Sequence, residues 1–177
     1  YDGFDGVVDV VVDNIEMSAI TFNSNGGTEV PSIIKGVGEV VSEPVSPTKE
    51  GYSFAGWYTD NGTFANKFIF STMPSESITL YAKWDVEKLT ITFNANGGEG
   101  SMDSITVNYG DRVLISTNSY TKKGHSFRIW NTEADGSGSN YIASRRYYTI
   151  TKNLTLYAQW NVNNYILEFD SNGGEGT

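Results

Sequence analysis

Nucleophilic catalysis in this chain would have to use His125, because that is its one histidine and there is no cysteine. A serine nucleophile needs such a base within reach and a third group that orients the base. The sequence has no Gly-x-Ser-x-Gly elbow, and the serines at 136–139 lie in a glycine-rich turn. Tyr52 takes the place of His125 in an earlier, similar segment. We therefore interpret His125 as a structural substitution and predict no catalytic residues.

Side chains with oxygen donors cluster in two places, at Asp2, Asp5, Asp9 and Asp13 and again at 170–175. Calcium prefers about six to eight such oxygens, and a calcium loop arranges them in a fixed order that ends in a distant glutamate. Neither cluster has that order. We predict that both consist of solvated turn residues and that the chain holds no metal or cofactor; a calcium site between modules is the alternative.

Three glycine pairs resemble the loops that bind phosphate. A phosphate loop needs a lysine and a serine or threonine after the glycines, followed by a helix. Here Thr28-Glu29, Glu99-Gly100 and Glu175-Gly176 follow instead, and an acidic residue disfavours an anion. We therefore predict tight turns rather than anion sites. The repeat-turn glycines are Gly26, Gly27, Gly97, Gly98, Gly173 and Gly174.

These glycines belong to a repeated pattern. The segment 22–27 (Phe-Asn-Ser-Asn-Gly-Gly) recurs at 93–98, with Ala for Ser, and at 169–174, with Asp for the first Asn. A second segment, 80–84 (Leu-Tyr-Ala-Lys-Trp), recurs at 156–160 with Gln for Lys. Self-similarity of this kind predicts an array of small domains, each of roughly 65 residues and therefore of marginal stability alone. The high aromatic share, 14%, is suited to filling such small cores.

The repeated segments set the predicted domain boundaries. Val8, Val10 and Val12 alternate with other residues in a pattern typical of a strand that does not fit the repeat. The predicted parts are a leader strand or the end of a preceding module plus a connector (1–19), repeat 1 (20–84), a linker (85–89), repeat 2 (90–160), a linker (161–164) and the start of a truncated repeat 3 (165–177). Because the linkers are short and lack Gly/Ser runs, we expect a beaded, elongated array.

Composition excludes some partners. The net charge is −9, from 12 basic and 21 acidic residues. Nucleic-acid binding depends on basic patches, so we predict no nucleic-acid partner. No apolar run approaches the roughly 20 residues of a membrane-spanning helix, so we predict no membrane span in this segment.

Local patterns predict strands and turns. An aromatic strand is expected at 52–58, a closing strand at 78–84, and a strand or strand-plus-turn at 33–41. No segment of 10 or more residues has a clear helical period, so the predicted fold class is mostly β, or α+β at most.

The order of these motifs resembles a known family. Thr-Phe-Asn-x-Asn-Gly-Gly, then Gly-Tyr-x-Phe-x-Gly-Trp-Tyr, then Leu-Tyr-Ala-x-Trp is similar to the Listeria–Bacteroides repeat, also called the internalin B-repeat. The resemblance covers 20–84 well, 90–160 moderately and 165–177 as a third opening. It implies tandem β-grasp-like (ubiquitin-like) modules in a cell-surface or extracellular bacterial or archaeal protein. It also implies a stalk, adhesion or weak binding role and no enzymatic residues.

The aromatic strand supplies the candidate binding or packing surface. Strict alternation leaves one of its aromatic residues partly exposed, unless a bulge near Gly56 turns Trp57 inward. The candidate residues are Tyr52, Trp57, Tyr58, His125 and Trp130.

Three function hypotheses follow, in order of preference. The first is a structural stalk with spacing or adhesion as its task, whose partners are neighbouring repeats of the same chain. The second is a binding module for glycan, cell wall or another surface or host protein, through the aromatic strand or a sheet edge. The third is a surface filament that self-assembles by strand addition through 165–177.

Overall fold

The structure, a computed structural model, describes residues 15–168 and 172–174. The chain divides into two compact units between Val86 and Glu87. Each unit contains one copy of the two repeated segments, and the units are described below as repeat 1 and repeat 2.

Repeat 1 is built on a four-stranded sheet. Its strands are β1 (Met17–Asn23), β2 (Ile33–Gly36), β3 (Tyr52–Tyr58) and β4 (Ile78–Val86), in the order β2-β1-β4-β3. The two central strands, β1 and β4, are parallel, whereas the outer strands pair with them in an antiparallel manner. The first and last strands of the unit are therefore neighbours.

Repeat 2 has the same plan with additional short strands. Its main sheet has the order β6-β5-β11-β8-β9, and β5 and β11 form the parallel central pair. A separate two-stranded sheet joins β7 and β10. The strands are β5 (Lys88–Asn94), β6 (Ile105–Asn108), β7 (Arg112–Leu114), β8 (His125–Asn131), β9 (Asn140–Tyr141), β10 (Tyr147–Thr149) and β11 (Leu154–Val162).

Each repeat has its own aromatic core. Trp57 in repeat 1 and Trp130 in repeat 2 are completely buried at equivalent places on β3 and β8. Each packs against the phenylalanine of the Phe-Asn-x-Asn-Gly-Gly segment, with ring centroids 4.7 Å apart for Phe22–Trp57 and 4.9 Å apart for Phe93–Trp130. The closing strands add alternate apolar residues, as a half-buried strand requires. Those with no exposed area include Leu80, Ala82, Leu156 and Ala158.

The mostly β fold class is confirmed, and no helix occurs in residues 15–168 or 172–174. In the same ranges no helix is long and apolar enough to cross a membrane. The β-grasp-like arrangement stays a prediction. The predicted leader strand at 7–12 lies outside the described residues. The first strand begins at Met17 rather than near Ile20, and strands β4 and β5 occupy most of the segment interpreted as the linker 85–89.

Candidate functional site

The Asn-x-Asn-Gly-Gly turn has the same local structure in both repeats. The side-chain oxygen of Asn23 accepts a hydrogen bond of 3.0 Å from the backbone N–H of Asn25. This contact leads Asn25 into a left-handed conformation with φ of 48°, and Gly26 follows with φ of 84°. Asparagine and glycine are the residues that adopt such values at least cost. In repeat 2 the corresponding bond, from the Asn96 N–H to Asn94, is 2.8 Å long, and Asn96 also has φ of 48°.

This turn is bonded directly to the closing strand. In repeat 1 the Asn25 amide donates to the Ala82 carbonyl at 2.9 Å, and the Trp84 indole N–H donates to the Ser24 carbonyl at 2.8 Å. In repeat 2 both equivalent bonds are 3.0 Å long, Asn96 to Ala158 and Trp160 to Ala95. We call this arrangement the interlock. Its members are Ser24, Asn25, Gly27, Ala82 and Trp84 in repeat 1, and Ala95, Asn96, Gly98, Ala158 and Trp160 in repeat 2.

The second glycine of each pair allows the indole to approach. A Cβ added at Gly27 would lie 2.5 Å from Cζ2 of Trp84, and one added at Gly98 would lie 2.8 Å from Cζ2 of Trp160. Only a residue without a side chain fits at this distance. The two glycines therefore have different tasks, since Gly26 and Gly97 provide positive φ and Gly27 and Gly98 provide space.

A lysine that the sequence analysis missed supports the interlock. Lys49 Nζ donates to the Asn25 carbonyl at 2.9 Å and lies 4.7 Å from the ring centroid of Tyr52. In repeat 2, Lys122 Nζ reaches the Asn96 carbonyl at 3.5 Å. The signal that could have revealed it is the shared Thr-Lys-x-Gly sequence before each aromatic strand, at 48–51 and 121–124.

The candidate residues of the aromatic strand divide between core and surface. Trp57, Trp130 and Tyr58 are buried, whereas Tyr52 and His125 are half-buried at the beginning of their strands. The register between β3 and β4 shifts between Phe54 and Gly56, which is a β-bulge. This bulge breaks the strict alternation of the strand, so that Trp57 faces the core. His125 Nδ1 lies 2.8 Å from the Lys123 carbonyl oxygen and has no catalytic partner among its described contacts. Binding through this surface stays a prediction.

Two turn aspartates have lowered pKa values. The Thr63 hydroxyl donates to the Asp60 carboxylate, and the backbone N–H groups of Asn66 and Ala65 add bonds of 3.0 and 3.2 Å. These donors hold the pKa of Asp60 below its usual range. In repeat 2 the hydroxyl and then the backbone N–H of Ser137 lower the pKa of Asp135 in the same way. Both carboxylates organise turns.

Metal ligation has no support within the described ranges, which contain no group of three or more His, Asp or Glu side chains placed to hold an ion. Residues 1–14, and with them Asp2, Asp5, Asp9 and Asp13, lie outside those ranges, as do Asp170 and Glu175.

The third repeated segment is described in part. Asn172 has φ of 46° and Gly173 has φ of 84°, values close to those of the two complete turns. Gly174 is exposed, as are Tyr165, Ile166 and Leu167 before the turn. Self-assembly through 165–177 stays a prediction.

Comparison with known proteins agrees with the repeated geometry. The family model of the Listeria-Bacteroides repeat domain matches residues 19–83 and 90–159. A protein of Evansella cellulosilytica described as "Putative membrane protein" is 36% identical over 97% of this chain, and internalin H of Listeria monocytogenes is 37% identical over 75% of it. A second Evansella cellulosilytica protein, "Putative Gly-rich membrane protein", is 34% identical over 90% of the chain.

The similarity covers only part of each relative, because the matched region is 26%, 18% and 23% of the putative membrane protein, the Gly-rich protein and internalin H, respectively. The two family matches each contain the Asn-x-Asn-Gly-Gly turn and the closing-strand residue that it bonds, Ala82 or Ala158, and together they cover most of the chain. This chain therefore belongs to the Listeria-Bacteroides repeat family.

Proposed function

We propose that this chain is part of a non-enzymatic repeat region of a bacterial or archaeal cell-surface or secreted protein, in which each repeat is a spacer that keeps its length under tension. The family membership supports a repeat region, and the relative named internalin H supports a surface or extracellular location. The relatives named as membrane proteins are compatible with a surface protein that is anchored elsewhere in its chain.

The observation that carries this proposal is the parallel pairing of the first and last strands in each repeat. Ile20 on β1 lies opposite Ile78 on β4, and Ile91 on β5 lies opposite Leu154 on β11. In a parallel pair the chain enters at one end and leaves at the other. At about 3.3 Å per residue, the start of β1 and the end of β4 are separated by roughly 35 Å along the strands. Each repeat therefore contributes length of its own.

The same pairing determines how a repeat responds to tension. Pulling on its two ends slides β1 against β4, so that all the hydrogen bonds between them are loaded together. A hairpin pulled from its open end would instead lose its bonds one at a time. The interlock adds two side-chain bonds across this pair, Asn25 to Ala82 and Trp84 to Ser24. These bonds oppose sliding near the end of β1.

A force-clamp experiment on the full chain, held at its two ends, tests the proposal. The chain has no cysteine, so cysteine handles can be introduced at the ends without side reactions. Residues 17–86 extend to about 240 Å at most when unfolded, so each repeat should open in one step of roughly 200 Å. Two such abrupt steps separated by plateaus are expected. Gradual extension at low force, without steps, would contradict a spacer role.

A further inference from the structure

An asparagine followed by a glycine readily loses its side-chain amide, and this chain has four such pairs, at 25–26, 61–62, 96–97 and 172–173. The reaction begins when the backbone nitrogen of the glycine attacks Cγ of the asparagine. Glycine hinders this attack least because it has no side chain. The fold decides which pair reacts, since it fixes whether the amide is free to turn toward that nitrogen.

The two asparagines of the interlock have their amides held in place. The amide nitrogen of Asn25 donates to the Ala82 carbonyl at 2.9 Å. That of Asn96 donates to the Ala158 carbonyl at 3.0 Å and to the Ala134 carbonyl at 2.7 Å. Because this nitrogen is the leaving group, ammonia can depart only after these bonds break. Both pairs are therefore protected while their repeat is folded.

Asn61 has the opposite arrangement. Asn61 and Gly62 are both exposed, and Gly62 has φ of 123° with open space where a Cβ would be. Among the described residues, the amide nitrogen of Asn61 has no acceptor, and the backbone N–H of Gly62 donates to none. The leaving group and the attacking nitrogen are therefore both unrestrained by hydrogen bonds.

The contact that the Asn61 side chain does make favours the reaction. Its Oδ1 accepts a hydrogen bond of 3.2 Å from the amide nitrogen of Asn25. Attack at Cγ places negative charge on this oxygen, and a donor already aimed at it stabilises that charge. The Asn25 amide also donates to Ala82, which keeps the donor in position. The interlock of repeat 1 thus supplies a fixed donor to the carbonyl that is attacked.

Repeat 2 lacks the reactive group at the equivalent position. The backbone N–H groups of Thr59 and Thr132 donate across the two turns in the same way, which aligns them. Counting forward places Ala134 where repeat 1 has Asn61. The Asn96 amide donates there to the backbone carbonyl of Ala134. Alanine has no amide to lose, so the two copies differ in chemistry at this point.

We propose that Asn61 is a site of spontaneous deamidation, with the Asn25 amide as the donor that stabilises the oxyanion. The Gly62 nitrogen loses its proton to water and bonds to Cγ of Asn61, the Cγ–Nδ2 bond breaks, and Nδ2 takes a proton from water and leaves as ammonia. Water then opens the cyclic imide at either carbonyl, which gives aspartate or isoaspartate. Repeat 1 thereby gains a carboxylate beside its interlock. This proposal is independent of the spacer function.

Peptide mapping of the aged full chain by mass spectrometry provides the test. The chain is incubated in mildly alkaline buffer, either folded or unfolded in guanidinium chloride, and the conversion of amide to carboxylate is followed at each pair. We expect Asn61 to react about threefold faster in the folded chain, the effect of one weak hydrogen bond on the transition state. Asn25 and Asn96 should react about tenfold slower when folded, or slower still.

Three variants separate the donor from the sequence. Asn25→Gly removes the donor, so Asn61 should react about threefold more slowly, at the rate of the unfolded chain, whether or not repeat 1 stays folded. Asn96→Gly removes the equivalent amide from repeat 2 and is the matched control, which should leave the rate at Asn61 unchanged. Asn61→Ala copies repeat 2 and should abolish the conversion in that peptide, which assigns it to Asn61 rather than to Asn66.

Three results would overturn the proposal. If Asn61 reacts no faster in the folded chain than in guanidinium chloride, the turn does not promote the reaction. If the rate at Asn61 is unchanged or rises in Asn25→Gly, the Asn25 amide is not the donor. If Asn25, Asn61 and Asn96 react at equal rates in the folded chain, the dipeptide sequence alone decides and the interlock protects nothing.

Discussion

In repeat 1 the indole of Trp57 is buried without an acceptor, whereas in repeat 2 the corresponding Trp130 donates to Ser116. The difference lies in the segment that connects the Asn-Gly-Gly turn to the aromatic strand of each repeat. Here repeat 2 has Tyr120, whose hydroxyl donates to the Phe93 carbonyl at 2.9 Å, and repeat 1 has Pro47. This side of the fold is assembled differently in the two copies.

The interlock, in contrast, is the same in both copies. Its turn has φ of 48° at Asn25 and at Asn96, and its four side-chain bonds differ in length by a few tenths of an ångström at most. The comparison teaches that the repeat keeps the joint between its first and last strands and allows the remainder to diverge. The proposed spacer role depends on that joint.

Among the substitutions considered, the largest loss of stability is expected from replacing Asn131, the residue at the position equivalent to Tyr58 of repeat 1. It is completely buried, donates to the Gly136 and Gly138 carbonyls and to Asn140, and accepts from two backbone N–H groups. Asn131→Ala leaves these groups unsatisfied and should reduce the stability of repeat 2 by about 3 kcal/mol. Hydrogen exchange followed by mass spectrometry should show the loss in repeat 2 alone. Equal loss of protection in repeat 1 would contradict independent cores.

Replacing the second glycine of each pair with alanine tests the interlock, the feature that both repeats share. The new Cβ would meet the Trp84 ring in Gly27→Ala, and both the Thr121 carbonyl and the Trp160 ring in Gly98→Ala. We expect each variant to lose about 2 kcal/mol in its own repeat through overpacking. Ser32→Ala, at an exposed position, is the control. If either glycine variant is neutral, the close approach of the indole is not required.

Phenylalanine at the two core tryptophans sharpens the contrast between the copies. Trp130→Phe removes a hydrogen bond and leaves the Ser116 carbonyl unpaired, while Trp57→Phe removes a donor that has no acceptor. Trp130→Phe should therefore be more destabilising than Trp57→Phe, by about 1–2 kcal/mol. Protection factors of the two repeats in the same chain give the comparison. Equal losses would show that Trp57 has a partner in solution.

The smallest expected effect is a loss of stability in the turns at Asp60 and Asp135 at acid pH. The folded pKa of Asp60 and that of Asp135 are lowered, so each carboxylate contributes stability above its unfolded pKa and loses it as the pH falls through the folded value. Both turns should loosen below about pH 4, where unperturbed aspartates protonate. Asp60→Asn should remove the pH dependence of exchange at 60–66 without affecting the turn at Asp135. An unchanged profile would rule out this contribution.

Much of the architecture could be predicted from the sequence because its motifs repeat. The aromatic strand at 52–58, the closing strand and the turn glycines follow from local patterns. The contacts between these elements could not be predicted from local patterns, since the Asn25–Ala82 hydrogen bond joins residues far apart in the chain. Sequence pattern shows that two motifs occur together but cannot show that they touch. Likewise, the missing acceptor of Trp57 became visible only by comparing the buried atoms of the two repeats.

A double-mutant cycle across the interlock tests the central claim most directly. The cycle combines Asn25→Gly, which keeps the turn conformation but removes the amide, with Trp84→Phe, which removes the indole N–H. The same cycle at Asn96 and Trp160 is its counterpart in repeat 2. Because the Trp84 acceptor, Ser24, adjoins Asn25, breaking one bond frees the turn and weakens the other.

We predict a coupling free energy of about 1 kcal/mol in each repeat, measured by native-state hydrogen exchange of the full chain. Additivity within about 0.3 kcal/mol in both repeats would contradict the account. It would mean that the two signature segments, though neighbours, do not act as one joint.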